Sequence, residues 1–275
     1  MKCAWQPLLG ILPVWIAAEL DRPDRDRLQE LRLRLGRHPE LNYGGEYQIL
    51  SGIVAREDLN FVINTASRYS PWAAGTIAQG FLTAPGGHRI GLCGEAVLAN
   101  GVMTGIKNPT SVCIRIARDY PGIGARISAQ SGSILLLGPP GSGKTTMLRD
   151  VLRQLSRKES VSVIDERGEI FPGEICCDSR LDVLTGCSKP AGMEILTRSM
   201  GPESIGVDEI TSESDCESLI RAGWCGIRII ATAHASGKED LHRRPVYRKL
   251  LESGIFQHVV VLKRDKSWTM ERMAV

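Results

Sequence analysis

Residues 138–145 constrain the fold of this chain more than any other segment. They read Gly-Pro-Pro-Gly-Ser-Gly-Lys-Thr, follow the apolar run 134–137 and precede a stretch with helical character. A glycine-rich turn between a buried strand and a helix points backbone N–H groups at a phosphate, and the helix N-terminus adds partial positive charge. The segment therefore predicts a P-loop in an α/β domain.

The parts of this motif predict separate roles in binding ATP. We expect Lys144 to reach the β- and γ-phosphates and to act in catalysis, and the hydroxyl of Thr145 to bind Mg²⁺. The residues expected to contact ATP are Gly138, Pro139, Pro140, Gly141, Ser142, Gly143, Lys144, Thr145 and Thr146.

A second motif, which is acidic, follows the apolar run 205–207. A P-loop protein needs a carboxylate at the end of a neighbouring strand to hold Mg²⁺, and Asp208 fits that position. Successive side chains of a strand point to opposite sides, so Glu209 is free to polarise an attacking water as a general base. The pair predicts hydrolysis of ATP.

Two further strands are expected to end at the same edge of the sheet. Residues 229–234 end in Thr232, a candidate γ-phosphate sensor, and in His234, which either acts on the phosphate or is an ordinary structural histidine. Residues 161–165 lead into residues 165–167, Asp-Glu-Arg, which either position water or a neighbouring subunit or are ordinary loop charges.

Arg198 is a candidate catalytic arginine on a helix before the Asp208 strand. Its guanidinium would spread the charge of a transferring phosphoryl group, either in its own chain or across a subunit boundary. The alternative is a solvated surface arginine. The candidates for an arginine supplied by a neighbouring subunit are Arg115, Arg198, Arg221 and Arg228.

The pattern of the chain changes at residue 133. Beyond it, apolar strands alternate with helices, which is typical of a parallel sheet covered on both faces. The predicted strands are 134–137, 161–165, 205–208, 228–232 and 256–262, and the predicted helices are 144–156, 191–200, 213–222 and 247–253. A linker containing Pro121, Gly122 and Gly124 separates domains predicted at 1–124 and 125–275.

The first domain is expected to be smaller and of mixed α+β type. Residues 15–35 predict one or two short amphipathic helices broken near Pro23, residues 56–69 predict another helix, and 89–98 with 110–117 predict a hairpin. The apolar stretch 7–18 is interrupted by glycine and proline and is interpreted as a buried helix or interface segment, with membrane contact as the alternative.

Composition adds little about partners. The net charge of +3 is too small to indicate nucleic acid or a membrane surface without a local cluster. The eight cysteines show no C-x-x-C or metal-ligand spacing, and the adjacent pair Cys176 and Cys177 is poorly placed for a structural disulfide. We interpret them as reduced thiols of a cytosolic protein.

The order of these motifs resembles the RecA-like ATPases of type II and type IV secretion systems. The resemblance includes residues 165–167, 196–205, 207–210 and 231–234. The chain is still more similar to the stage III sporulation protein AA family. The segments that carry this similarity are 30–37, 80–94, 111–118, 182–184 and 186–189.

This resemblance implies a RecA-like P-loop domain with a mainly parallel sheet, preceded by a smaller α+β domain. It also implies a homo-hexameric ATPase that uses ATP and Mg²⁺ and energises a channel built with the other stage III sporulation proteins. The expected location is the cytoplasm, at the mother-cell face of the forespore membrane. By the same resemblance, His234 matches the histidine box of secretion ATPases, residues 165–167 their aspartate box, and Arg198 an arginine near the nucleotide.

Two alternatives stay open at the level of sequence. RecA-like sheets also move DNA, and Arg243 and Arg244 are basic, so a nucleic-acid motor or a nucleic-acid-binding ATPase is the runner-up. No basic run with interleaved aromatic residues indicates a base-stacking groove, and we expect no nucleic-acid partner. A nucleotide-gated scaffold without turnover is the third interpretation, since a motif does not reveal a rate.

Overall fold

The computed structural model describes residues 2–3, 5–20, 27–68, 77–78, 80–172 and 180–273. The chain forms two compact units, and the main division falls between Asp119 and Tyr120, with a short segment from Pro172 counted with the first unit. The expected helix break at Pro23 and the expected reduced thiols of Cys176 and Cys177 lie outside the described residues.

The first unit combines helices with antiparallel strands. Among its described residues, the strands β2–β7 form one sheet in the order β4-β3-β2-β7-β6-β5, while β1 pairs with β8. The helices are α1 (Trp5–Gly10), α2 (Val14–Leu20) and α3 (Arg56–Ala66). The strands are β1 (Lys2–Cys3), β2 (Glu30–Arg34), β3 (Glu40–Asn42), β4 (Tyr47–Ile49), β5 (Phe81–Thr83), β6 (Arg89–Ala99), β7 (Val102–Arg115) and β8 (Arg118–Asp119).

The helical prediction for residues 15–35 is wrong in its second half. Residues 30–34 form strand β2, which pairs with β3 on one side and β7 on the other. Leu31 and Leu33 are fully buried while the charged residues between and beside them are partly exposed. Glu-Leu-Arg-Leu-Arg has a period of two, so a strand puts both leucines in the core, whereas a helix would place them on different faces.

The apolar stretch 7–18 contributes helices to the core, as the interpretation of a buried helix expected. Helices α1 and α2 bury Trp5, Leu8, Ile16 and Leu20 in the same hydrophobic core as Leu31 of the sheet. Within the described ranges, no helix is long and apolar enough to cross a membrane.

The predicted hairpin is present as β6 and β7 and is longer than the sequence pattern indicated. Its turn, Asn100-Gly101, has positive φ angles of 52° and 78°, as a two-residue hairpin loop of type I′ requires. The far part of the hairpin extends beyond its pairing with β2 and β5, so Leu98 and Val102 near the turn are largely exposed.

The second unit is built on a mainly parallel sheet. In the described part of the chain its order is β11-β10-β12-β13-β9-β14-β15, and β15 is antiparallel to its neighbour. The strands are β9 (Ser133–Leu137), β10 (Val161–Asp165), β11 (Leu181–Thr185), β12 (Ser204–Val207), β13 (Arg228–Ala233), β14 (Phe256–Leu262) and β15 (Trp268–Arg272). The helices are α4 (Ala125–Ser128), α5 (Lys144–Leu155), α6 (Lys189–Ser199), α7 (Glu213–Trp224), α8 (Lys238–His242) and α9 (Pro245–Glu252).

The five predicted strands of this unit are confirmed to within one residue at each end, and the four predicted helices are confirmed to within two. Strands β11 and β15 and helices α4 and α8 were not predicted. Leu181–Thr185 and Trp268–Arg272 carry charged or exposed residues on sheet edges, so neither segment shows the apolar run of a central strand.

Strands β9, β10 and β12 bury every residue because helices cover both faces of the sheet. One close contact fixes helix α5 against strand β12: a Cβ at Gly206 would lie 2.3 Å from Cδ1 of Leu152. Gly206 therefore lets α5, which begins at Lys144, pack directly over the strand that leads to Asp208. Because β9, β10, β12 and β13 are parallel, their carboxyl ends meet at one edge of the sheet.

Candidate phosphate-binding site and its acidic partners

The loop between β9 and α5 needs glycine at specific positions. Gly141 and Gly143 have φ angles of 75° and 96°, in the left-handed region that favours glycine. At Gly138 a Cβ would lie 2.5 Å from Oγ of Ser142 and 2.7 Å from the carbonyl oxygen of Leu262. The loop can curl back on itself only because these side chains are absent, and it delivers the chain to Lys144, the first residue of α5.

The side chain of Lys144 folds back over this loop. Its Nζ donates to the carbonyl oxygens of Gly138 at 2.9 Å and Pro139 at 3.2 Å, and lies 3.2 Å from Nδ1 of His234. Burial lowers the pKa of Lys144, and the nearby carboxylates of Asp208 and Glu209 oppose that effect. An ammonium held by neutral carbonyls is poised to exchange them for anionic phosphate oxygens.

Asp208 lies beside the hydroxyl of Thr145. Oγ1 of Thr145 donates to Oδ2 of Asp208 at 2.7 Å, and the hydroxyl of Thr232 donates to Oδ1 of the same carboxylate. Thr232 also accepts the backbone N–H of Glu209 at 2.7 Å. One threonine at the end of β13 thus fixes both members of the acidic pair that follows β12.

Glu209 is held by two cationic or N–H-donating neighbours. Its Oε1 lies 2.8 Å from Nε2 of His234, and its Oε2 lies 2.8 Å from Nη1 of Arg167. Because the ammonium of Lys144 can only donate, Nδ1 of His234 is the acceptor, and its Nε2 therefore carries the proton donated to Glu209. Glu209 itself has a φ of 54°, which turns it away from the direction of the strand.

Asp165, the last residue of β10, and Glu166, which follows it, have partners other than Glu209. Oδ1 of Asp165 accepts the backbone N–H of Glu169, and Oδ2 accepts those of Ile170 and Phe171, so Asp165 shapes the following loop. Burial raises its pKa, and these three hydrogen bonds oppose the rise. Glu166 forms an ion pair with Lys189 at 2.6 Å.

The residues present fit a nucleotide phosphate chain with Mg²⁺. Oγ of Ser142 is buried inside the loop and has no hydrogen-bond partner, which leaves a polar group for a ligand. No group of three His, Cys, Asp or Glu side chains within the described ranges could hold a metal by itself. One hydroxyl and one carboxylate, Thr145 and Asp208, match a Mg²⁺ that takes its other ligands from phosphates and water.

Arg198 is not brought to this cluster within the chain. It forms an ion pair with Glu194 at 2.8 Å, and 79% of its side chain is exposed. Helix α6 starts at the phosphate edge, where Lys189 meets Glu166, and runs back toward the start of β12. The rise of nine residues is about 14 Å, so Arg198 lies toward the opposite edge of the sheet. Its partner in the chain is Glu194 and not a residue of this cluster, and a catalytic role for Arg198, in its own chain or across a subunit boundary, stays a prediction.

The other arginines considered for that role have partners of their own. Arg115 pairs with Glu30, Arg221 donates to the carbonyl of Glu217, and Arg228 donates to carbonyls of residues 130 and 132 and pairs with Glu159.

Sequence reasoning missed one side chain that contacts the P-loop. Lys266, in the turn between β14 and β15, donates from Nζ to the carbonyl oxygen of Gly141. Strand β14 was predicted and pairs with β9, so its following turn had to lie next to the P-loop. The basic residues 263, 264 and 266 directly after that strand were the available signal.

The sequence comparisons agree with one another. The family model for "Sporulation stage III, protein AA" matches residues 10–271. Stage III sporulation protein AA of Bacillus subtilis is 34% identical over 257 residues, which cover 87% of this chain and 83% of that protein.

The comparisons with solved structures concern the fold. The Legionella pneumophila ATPase DotB superposes with a TM-score of 0.62 at 18% identity, covering 95% of this chain and 80% of that one. The pilus retraction motor PilT with bound ADP gives 0.62 at 14% identity, covering 92% and 77%. The fold is thus a RecA-like P-loop domain preceded by a smaller α+β domain, as predicted, and the chain belongs to the sporulation stage III protein AA family.

Proposed function

We propose that this chain binds ATP with Mg²⁺ at residues 138–146 and hydrolyses it. The single observation that carries the proposal is the joint placement of Lys144, the Thr145–Asp208 pair and Glu209 at the carboxyl edge of one parallel sheet. A structural glycine turn would need the glycines alone. It would not need a buried lysine near the carboxylates of Asp208 and Glu209.

Each side chain has a distinct task in this proposal. Lys144 exchanges the carbonyls of Gly138 and Pro139 for oxygens of the β- and γ-phosphates, while Thr145 and Asp208 hold Mg²⁺. When bound, Mg²⁺ neutralises charge on the phosphate oxygens.

Glu209 accepts a proton from the attacking water. In the arrangement described here each of its oxygens has one such partner, His234 at Oε1 and Arg167 at Oε2, and each keeps a second lone pair that can accept from the attacking water. His234 touches both Lys144 and Glu209, and it links the phosphate-binding group to the general base.

The family membership supports a role in sporulation, and we propose that the hydrolysis drives a motor. The motor would be a homo-hexamer that works with the other stage III sporulation proteins. It would power the assembly of, or transport through, a channel from the mother cell to the forespore, acting from the cytoplasmic, mother-cell face of the membrane. In such a ring, Arg198 on an exposed helix face would act on the nucleotide of the neighbouring subunit.

The test is Mg²⁺-dependent release of phosphate from ATP, measured against protein concentration while light scattering follows assembly. Wild type is compared with Lys144→Ala and with Lys249→Ala, a matched control because Lys249 is a largely exposed helix lysine. We expect turnover that rises with assembly, is lost in Lys144→Ala and is unchanged in Lys249→Ala. Single-stranded DNA added in parallel should have no effect.

Two results would contradict this proposal in different ways. Nucleotide binding with no turnover at any concentration would make the chain a nucleotide-gated scaffold. Turnover in a monomer that appears only with single-stranded DNA, and weakens with salt, would make it a nucleic-acid motor.

A further inference from the structure

The turn between β14 and β15 stands beside the P-loop. Strand β14 pairs in parallel with β9, and Val261 lies opposite Leu137, the last residue before the loop. The carbonyl of the next residue, Leu262, approaches Gly138 so closely that a Cβ there would lie 2.7 Å from it. The first residues after β14 therefore emerge at the phosphate edge of the sheet.

The turn is held in a fixed shape. The N–H of Lys263 donates to the carbonyl of Ser267 at 2.9 Å, and the N–H of Lys266 donates to the carbonyl of Lys263 at 3.1 Å. Asp265 accepts both the N–H and the hydroxyl of Ser267, at 3.0 Å and 2.6 Å. Lys266 has a φ of 70°, and this left-handed conformation directs the chain so that its side chain crosses the P-loop.

Lys266 makes the same kind of contact as Lys144 from a different side of the loop. Its ammonium donates to the carbonyl of Gly141, and its Cδ lies 3.9 Å from where a Cβ of Gly143 would be. Among the described residues it has no ion pair with a carboxylate, and the adjacent Asp265 accepts from Ser267 through Oδ1. Hydrogen bonds from an ammonium to an anionic oxygen are stronger than those to a neutral carbonyl. An ammonium beside a phosphate-binding loop is therefore stabilised when a phosphate oxygen replaces the carbonyl.

We propose that Lys266 is a second lysine for the phosphate chain of the bound nucleotide, outside the P-loop motif. On binding, its ammonium leaves the carbonyl of Gly141 and donates to a phosphate oxygen, on the side of the loop opposite the His234 contact of Lys144. This inference rests on the proposed nucleotide site and adds a binding residue from the C-terminal hairpin to it.

The test is equilibrium binding of a fluorescent ADP to the full chain, with inorganic pyrophosphate as competitor. The variant is Lys266→Asn, because asparagine tolerates a positive φ and removes the charge. We expect about ten-fold weaker binding of ADP and a similar loss in competition by pyrophosphate, with less effect in high salt because the site is exposed. Lys266→Arg should restore most of the affinity.

Arg264→Asn is the matched control, since it removes one exposed positive charge from the same turn without touching the P-loop. It should change ADP affinity less than two-fold. Glycine also accepts the positive φ of residue 266. If loss of the ammonium, and not a change in the turn, weakens ADP binding, Lys266→Gly should lower ADP affinity as much as Lys266→Asn does.

Several outcomes would overturn the inference. Unchanged ADP affinity in Lys266→Asn, beside a clear loss in Lys144→Ala, would remove Lys266 from the phosphate site while leaving the nucleotide site in place. A loss for ADP without a loss for pyrophosphate would place Lys266 on the base or ribose. Equal losses of ADP affinity in Lys266→Asn and Arg264→Asn would show that Lys266 acts only through the overall positive charge of the turn. Failure of wild type to bind ADP at all would instead refute the proposed function.

Discussion

The two sheets of this protein differ in how they use their side chains. In the parallel sheet, every residue of β9, β10 and β12 is buried, and the polar groups are gathered where the strands end. In the antiparallel sheet, β2 alternates buried and partly exposed residues. The β6–β7 hairpin extends beyond the rest of this sheet, and most side chains in the half near its turn are exposed.

This difference shows which unit can keep functional side chains at fixed distances from one another. A strand packed on both faces has little freedom to shift, so the side chains just beyond its end, such as Asp208 and Thr232, keep fixed distances. An extended hairpin has few packing neighbours and instead presents surface, including Leu98 and Val102, to its surroundings. The phosphate site belongs to the rigid unit.

The largest expected effect is on the free energy of unfolding, when one leucine in each unit is replaced by alanine. Leu135 is fully buried in β9, so Leu135→Ala should cost about 3 kcal/mol of unfolding free energy. Leu98 is 64% exposed, and Leu98→Ala should cost less than about 0.5 kcal/mol. Denaturant titration followed by circular dichroism measures both. Equal losses would mean that the hairpin is packed in the protein as it exists in solution.

A smaller effect is expected in the alkylation rates of two thiols of the second unit, Cys216 and Cys225, which should differ about a hundred-fold. Burial raises the pKa of Cys216 to about 11, so its thiolate is scarce near pH 8, whereas Cys225 on the same unit is exposed. Labelling with iodoacetamide followed by mass spectrometry of peptides should modify Cys225 at least about a hundred-fold faster. Similar rates would show that helix α7 opens readily and that this unit is less rigid than its packing indicates.

The smallest effect is expected from Thr232→Val, which keeps the shape of the side chain and removes the hydroxyl shared by Asp208 and Glu209. Loss of that hydroxyl should lower turnover about ten-fold and raise the Mg²⁺ concentration needed for half-maximal rate. Thr185→Val, at the exposed end of β11, is the control and should leave both unchanged. A Thr232→Val protein with wild-type Mg²⁺ dependence would show that the hydroxyl does not fix the acidic pair.

Much of the second unit could be predicted because its signals are local. Residues 134–145 contain their own strand, turn and helix start, and the order of apolar runs sets the parallel sheet whose strand ends bring Lys144, Asp208 and His234 together. Nothing in such a pattern says which charges pair across the edge. The contact of Arg167 with Glu209 depends on the conformation of two loops and not on spacing.

Three features needed the structure because competing rules decide them. Residues 15–20 are helical, and the run of apolar residues among charges continues to residue 35, so the whole stretch was predicted as helix. Residues 30–34 have the period of two of a strand, and they pair with β3 and β7. Arg198 precedes the Asp208 strand closely in sequence, yet its helix runs back across the sheet and carries it away from the site. Lys266 is far from the P-loop in sequence, and sheet order places it there.

The central claim is that Glu209 is the base for hydrolysis at a site that binds ATP through other residues. Glu209→Gln keeps the size of the side chain and removes its ability to take a proton. The most direct measurement compares bound and released nucleotide in this variant after incubation with Mg²⁺ and ATP. We expect Glu209→Gln to hold ATP with an affinity within a few-fold of wild type and to hydrolyse it about a thousand-fold more slowly. Hydrolysis at the wild-type rate in Glu209→Gln would contradict it.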